Sequence, residues 1–332
     1  MANYIESKIW DEKKIRPTEE SAYINRREIL KKLGLSAGAM MITPHLMVCG
    51  TDSKSSAPPQ TDNNFNFPGM TELYPAKLSP AYRLDRDMTN EYDATHYNNF
   101  YEFISPNDRN IYNAYKYVDA FDTRDWKIEV TGLAGKTGTH ELHDLMKRFP
   151  LEERTYRFRC VERWSMAVPW TGFSLAALIN YLEPSSKATH IGMTTFADKE
   201  QMPGMKGQPW YPWPYIEGLR MDEAMNELAF IATGIYGKPL PKQNGAPLRL
   251  VVPWKYGYKN IKSIVKIDFV NKEPGTFWNR ISASEYPFTS NVNPEKPHPR
   301  WSQAYERMIP DGEPRATLKY NGYGDFVASL YE

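Results

Sequence analysis

A chain of 332 residues can bury one large core or two modest ones without help from disulfides or a structural metal. A formal net charge of +1, with no long run of lysine or arginine, excludes the electrostatic footprint of a nucleic-acid-binding protein. Two cysteines, Cys49 and Cys160, with no CxxC or HExxH spacing, exclude a disulfide framework and the common zinc and haem-attachment patterns, while 26 prolines, 9 tryptophans and 22 tyrosines describe a loop-rich chain whose rings line cavities as well as core.

In chain order, residues 21–48 place Arg26 and Arg27 ahead of a short apolar segment rich in Gly, Ala and Ser, the layout of a twin-arginine export signal. The apolar run from Leu33 to about Ile42 is too short to cross a hydrocarbon core of ~30 Å, which argues for targeting and against anchoring. An amphipathic surface helix with a basic end is the alternative. Val48 is bulky where lipoprotein processing expects a small residue before Cys49, so residues 1–49 read as an export signal without lipidation. Twin-arginine export carries folded proteins, which makes a core cysteine in this chain a candidate cofactor ligand. Residues 50–90, rich in Pro, Ser and Asn and without sustained period, read as a flexible tether to one catalytic domain over 91–332.

Beyond Asn90 the sequence turns aromatic and amide-rich. If YNNFYEF makes a helical turn, Asn98, Tyr101 and Glu102 share a face at i, i+3 and i+4; equally, Asn98 caps a helix that Tyr101 and Glu102 continue. A strand over Trp126–Val130, a Gly-bearing turn and a short helix ending before Pro150 follow. His140 and His143 lie at i, i+3 there, but with no further ligand nearby they read as a solvated pair.

The run Arg154–Trp170 then predicts a strand with Tyr156, Phe158 and Cys160 on one face and Arg157, Arg159 and Val161 on the other. Two readings of Cys160 stay open: an inert small hydrophobe among aromatics, or a soft ligand for a metal or redox centre. The flanking arginines project to the opposite face and are poor partners for the sulfur, so a bound metal would account for a thiolate better.

An amphipathic helix from about Ser174 to Leu182 comes next, then a strand HIGMTTFA in which Thr195 offers a hydroxyl near the end. Residues 202–225 form a Pro- and Trp-rich loop opening onto a helix at Met221 or Asp222, either a pocket lid or rigid covering. Asn244 and Gly245 make a turn, Leu248, Leu250 and Val252 point inward with Arg249 on the other side, and Lys255, Lys259 and Lys262 gather around Gly257 ahead of a buried strand Ile264–Val270. A glycine turn with exposed amides and several cations suits an anionic, phosphate-bearing ligand, with a solvated basic hairpin as the alternative. Neither GxGxxG nor GxxxxGK[ST] occurs, which excludes the two common nucleotide loops. No shift of composition separates the tail after Glu273, so a single domain is expected.

Arg26-Arg27 together with RCVERWSMAVPW, PKQNGAPLRLVVPWKYGYKNIKSI and HPRWSQAYER resemble the sulfite oxidase family of molybdenum enzymes, from about Tyr97 to the C-terminus, and within it the branch that reduces methionine sulfoxide. The resemblance implies an α+β, mixed, strand-rich molybdopterin-binding fold and a molybdenum–molybdopterin cofactor. Carried onto this sequence, it makes Cys160 the protein thiolate on molybdenum and assigns Asn98, Tyr101, Glu102, Thr195, Asn244, Arg249, Asn260, Ile261 and Lys262 to the pterin pocket, with Arg249 and Lys262 as phosphate partners. Glu162, two positions after Cys160 and so on the same strand face, is the candidate for proton delivery. Sulfite oxidases continue into an immunoglobulin-like dimerisation domain; the sequence stops at Glu332 short of one, and a monomeric catalytic subunit is expected. With no haem or iron–sulfur motif, electrons come from outside the chain, and the resemblance implies a membrane-embedded haem subunit fed by quinol and oxidised periplasmic proteins as substrates. Two rival expectations are oxidation of sulfite or another small sulfur compound with the same cofactor, and an exported binding protein without catalysis.

Overall fold

The structure is a computed structural model, and it describes residues 70–332 except 83, 85, 105–107 and 109–111. The expected export signal, with Arg26, Arg27 and Cys49, lies outside the described residues. Those that are described belong to one compact unit, Pro58–Glu332.

Strands dominate: β1 (Lys77–Leu78), β2 (Lys127–Gly132), β3 (Gly138–Glu141), β4 (Glu152–Arg159), β5 (Trp164–Ser174), β6 (His190–Thr195), β7 (Ile216–Arg220), β8 (Phe230–Ile235), β9 (Lys238–Pro239), β10 (Arg249–Val251), β11 (Ile264–Val270), β12 (Tyr305–Met308) and β13 (Pro314–Ala316). Short helices punctuate them: α1 (Glu91–His96), α2 (Leu142–Arg148), α3 (Leu175–Leu182), α4 (Pro203–Gly207), α5 (Met221–Ala224) and α6 (Phe277–Ile281).

The larger sheet is built around β5, which pairs antiparallel with β4 and β8 and parallel with β12; β1 and β13 extend its ends, and β8 carries β9 and β10. All of β5 but its last residue is buried, as a strand with neighbours on both edges requires. Pro169 is tolerated in this central strand because the β8 ladder begins one residue later, at Trp170↔Ile235. In β4 the alternation places Arg154, Tyr156 and Phe158 inside, each large apolar body contributing roughly 1.5–3 kcal/mol of transfer free energy before entropy is counted. The second sheet runs β3-β2-β11-β6-β7, with only β2 and β11 parallel. Helix α3 packs through Leu175, Leu178, Ile179 and Leu182, the i, i+3, i+4, i+7 stripe, and ends where Glu183 turns left-handed at φ 54°.

Four expectations need correction. The tether does not extend over 74–90: the Tyr74 hydroxyl donates to Thr233 O at 3.0 Å, Lys77 pairs with Glu152, Tyr82 sits edge-on to Tyr156, and Arg86 meets Glu306 at 2.7 Å. Side chains of a proline-rich stretch anchor it to the large sheet at points far along the chain. Cys160 and Glu162 are not strand residues; β4 ends at Arg159 and residues 160–163 form the hairpin loop, closed by Arg163 N–H donating to Cys160 O at 3.0 Å with Arg163 at φ 75°. YNNFYEF is not helical, because α1 ends at His96; Asn98 bridges to Asn113, and 101–103 form a turn. Finally, Lys255 and Lys259 belong neither to a basic cluster for an anion nor to a solvated hairpin: both are buried in ion pairs with Glu223 and Glu217.

Candidate cofactor and active site

The β4–β5 hairpin loop, the 97–102 segment, the turn at Asn244 and the 257–262 segment converge on a cleft enclosing about 860 Å³, open solvent included. Its lining contains Cys160, Glu162, Asn98, Tyr101, Glu102, Thr195, Asn244, Arg249, Asn260, Ile261 and Lys262, so every residue that the resemblance assigned to the cofactor, together with the candidate for proton delivery, is brought to one place. His140 and His143 are elsewhere and engage Lys136 O and Asp144. Among the described residues no group of three or more His, Cys, Asp or Glu could hold a metal.

At the floor, Cys160 is 5 % exposed. Gly257 permits this approach, since a Cβ there would stand 2.9 Å from two Phe158 ring carbons. Burial, and then the adjacent Glu162, push the thiol well above its usual range, so the chain alone holds a protonated thiol; a thiolate needs positive charge supplied at the sulfur. The Glu162 carboxylate lies 3.7 Å from Cys160 Sγ and accepts from Asn99 Nδ2 (3.2 Å), the Tyr112 hydroxyl (3.2 Å) and Trp164 Nε1 (3.1 Å). Burial raises its carboxyl, opposed by these donors.

The cleft also holds two cations, Arg249 and Lys262. Arg249 is held by its own backbone neighbourhood, donating to Asn244 O at 3.0 Å and Asn260 O at 3.1 Å, with its plane over Trp170 at 4.9 Å. Desolvation alone pulls it down to about 9. Lys262 donates to Asn99 O at 3.1 Å; burial and Arg249 pull it down to about 7, while burial pushes Glu102 up to about 7 against the attraction of Lys262. Gly245, at φ 98°, makes room for the Lys262 stem, which a Cβ would meet at 2.8 Å. Thr195 and Asn260 are occupied locally, Thr195 donating to Lys262 O at 2.9 Å and Asn260 accepting from Val252 N–H at 2.7 Å. Sequence reasoning missed the wall of the cleft: Tyr97, Trp164, Tyr258, Trp278 and Tyr286, signalled only by the abundance of aromatic residues, and Asn99, within the amide-rich run after Asn90.

Residues 115–278 match the oxidoreductase molybdopterin binding domain. The chain is 47% identical over 320 residues to the protein-methionine-sulfoxide reductase catalytic subunit MsrP of Xanthomonas axonopodis pv. citri, spanning 95% of this chain and 93% of that one. It is 45% identical to the protein of the same name in Pseudomonas syringae pv. tomato, over 95% and 93%, and 50% identical to that of Ralstonia nicotianae, over 77% and 78%. The chain belongs to the family of protein-methionine-sulfoxide reductase catalytic subunits.

Membership in this branch of the sulfite oxidase family makes the protein a molybdenum–molybdopterin oxidoreductase with the corresponding strand-rich fold. The cleft fits that cofactor on its own chemistry. Asn98 Oδ1, Asn99 Oδ1 and Asn244 Oδ1 are buried acceptors without a hydrogen-bond partner among the described residues, which the N–H groups of a pterin would satisfy. Arg249, buried, and Lys262, partly buried, have no carboxylate in salt-bridge range among the described residues, and a phosphate would neutralise them. Cys160 is the soft donor that molybdenum requires.

Proposed function

We propose that this reductase repairs methionine sulfoxide in periplasmic proteins, drawing electrons from a membrane-embedded haem subunit fed by quinol. The reaction converts a sulfoxide, two electrons and two protons into a thioether and water. The bound molybdenum cofactor supplies two-electron oxygen-atom transfer; the chain's residues hold it, set the charge around it and govern access. In this reading Cys160 is the metal ligand, Arg249 and Lys262 hold the phosphate, and Asn98, Tyr101, Glu102, Thr195, Asn244, Asn260 and Ile261 cradle the pterin. Glu162, oriented by Asn99, Tyr112 and Trp164, is the candidate for proton delivery.

The observation that favours a neutral sulfoxide over sulfite is the charge beside the sulfur. Arg249 and Lys262 are the only cationic residues lining the cleft among the described residues, and in this reading both serve the phosphate, while Cys160 Sγ has the Glu162 carboxylate 3.7 Å away. An anionic substrate there would meet like charge in a poorly solvated cleft. The Arg26-Arg27 leader supports export with the cofactor already loaded.

Steady-state assays of purified holoenzyme with methionine sulfoxide and with sulfite separate the two chemistries; turnover of sulfite with inert sulfoxide overturns the choice. Cys160→Ser is expected to abolish activity and deplete molybdenum while leaving the fold intact, which an inert core thiol would not require. Stoichiometric molybdenum and full activity in that variant would remove the thiol from the centre. Lysine at both Arg26 and Arg27 is expected to hold the protein in the cytoplasm, read by cell fractionation.

A further inference from the structure

We propose that Trp210, with Tyr211, Trp278 and Ile281, forms a fixed apolar shelf at the mouth of the cleft that holds the polypeptide flanking a substrate methionine sulfoxide. The inference rests on the protein-repair reading above and names how that substrate is gripped.

Trp210 is 69 % exposed, the most exposed of the large hydrophobic residues described. An indole left in water on a surface is informative when it is rimmed by other apolar groups and continuous with a site. Here the continuity is a row of rings. Trp210 lies 6.1 Å from Tyr211, Tyr211 lies 6.0 Å from Trp278, and Trp278 lies 5.1 Å from Tyr286, with Trp278 and Tyr286 lining the cleft. Ile281, 40 % exposed, sits three residues after Trp278 on α6 and so shares its helix face.

The shelf's loop is tied to the segments beneath it. Gln208 Nε2 donates toward Tyr101 O, Ile104 O and Gly204 O at 3.5, 3.4 and 3.4 Å, and Gln208 O accepts Trp213 Nε1 at 2.9 Å. Beneath it, α4 presses on the pterin-side backbone: a Cβ on Gly204 would meet Tyr101 O at 2.1 Å. A ring presented by a pinned loop loses little conformational entropy on binding, which is how an aromatic side chain becomes an anchor.

The depth of the site dictates what the shelf touches. Cys160 is almost buried, so a methionine side chain must reach inward while the chain on either side remains outside. Two ring-to-ring steps of about 6 Å separate Trp278 from Trp210, the reach of roughly three to four extended residues at ~3.4 Å each. The ligand we infer is an extended polypeptide carrying an apolar side chain within about three or four residues of the sulfoxide, since Trp278 lines the cleft and Trp210 lies no more than those two steps beyond it.

The test uses holoenzyme with dithionite-reduced benzyl viologen as electron donor, so that no protein partner is present. Three substrates are compared: N-acetyl-methionine sulfoxide amide, an eleven-residue peptide with a central methionine sulfoxide and leucines three and four positions to either side, and the same peptide with serines there. Trp210→Ala is expected to raise KM for the leucine peptide roughly tenfold with kcat unchanged. The other two substrates should be unaffected, and Trp210→Phe should retain most of the grip. An unchanged KM for the leucine peptide overturns the proposal and leaves Trp210 free to meet another partner; an equal loss on all three substrates overturns it in favour of a structural role. Failure of the wild-type enzyme on every sulfoxide would instead sink the functional reading, a separate outcome.

Discussion

Two pairs of buried cations lie in the same short stretch, Arg249–Lys262, and the fold treats them in opposite ways. Lys255 Nζ is 2.6 Å from Glu223 Oε1 and also donates to Thr289 O at 2.7 Å and Asn291 Oδ1 at 2.9 Å, while Lys259 Nζ is 2.6 Å from Glu217 Oε2. Arg249 is comparably buried and Lys262 partly so, and among the described residues they reach only backbone carbonyls, with Glu102 the carboxylate nearest in influence to Lys262. Burying a charge is unfavourable unless something neutralises it. Where the chain supplies the counter-charge the lysine holds segments together; where it does not, the counter-charge is a ligand's. All four are cations of one 14-residue stretch, and it is the partner that distinguishes structure from site.

The sharpest way to break this contrast is to exchange the expected losses. Lys255→Met strands Glu223 in the core and is expected to lower the unfolding free energy by about 3–5 kcal/mol in denaturant titration, with molybdenum content of the folded fraction unchanged. Replacing Glu223 by Leu in the same molecule should recover much of that loss. If Lys255→Met instead empties the cofactor with stability preserved, the partition between the pairs is wrong.

Arg249→Met and Lys262→Met should do the reverse. Each removes a cation that the proposed reading pairs with the phosphate, so cofactor retention is expected to fall by about 2–5 kcal/mol, seen as loss of molybdenum on dilution and dialysis. Cofactor-free protein should melt no earlier than its parent, since a buried charge without a protein partner has been removed. Equal destabilisation of the cofactor-free protein by all of these replacements would erase the comparison.

How much of this was legible along the chain depends on how local the cause is. Helix α3 follows from its own stripe of Leu175, Leu178, Ile179 and Leu182, and the inward set of β4 from its alternation. The hairpin that lifts Cys160 out of its strand turns on Arg163 at φ 75°, a backbone state that an arginine does not advertise. Alternation placed Arg249 opposite Leu248 and Leu250 but could not reveal that the opposite side is also interior. Glu217 and Glu223, which settle the fate of two lysines, come from β7 and α5, and no periodicity connects them to Gly257. The anchoring of Tyr74 and Arg86 is likewise non-local, so a sequence without period read as a tether although its second half is packed.

The smallest expected effect is also the most diagnostic of a missing counter-charge. In the folded, cofactor-free protein Lys262 is pulled from 10.5 down to about 7 by burial and by Arg249, against Glu102 and Cys160, which act to raise it. Between those values the unfolded chain binds a proton that the folded chain does not, so stability rises with pH across that window. Below about 7 the full penalty of carrying the charge is present in the folded state. Relative to Lys262→Met, the cofactor-free parent should gain on the order of 1 kcal/mol between neutral pH and the lysine range, once water entry softens the ideal value. With the cofactor seated, the phosphate restores an ordinary lysine and the difference in slope should vanish. Lys255 shares a pKa of about 7 but retains Glu223 in both states of loading, so its contribution cancels in this subtraction. A slope that persists unchanged in Lys262→Met would place the titration elsewhere and remove the reason for assigning the phosphate to this end of the cleft.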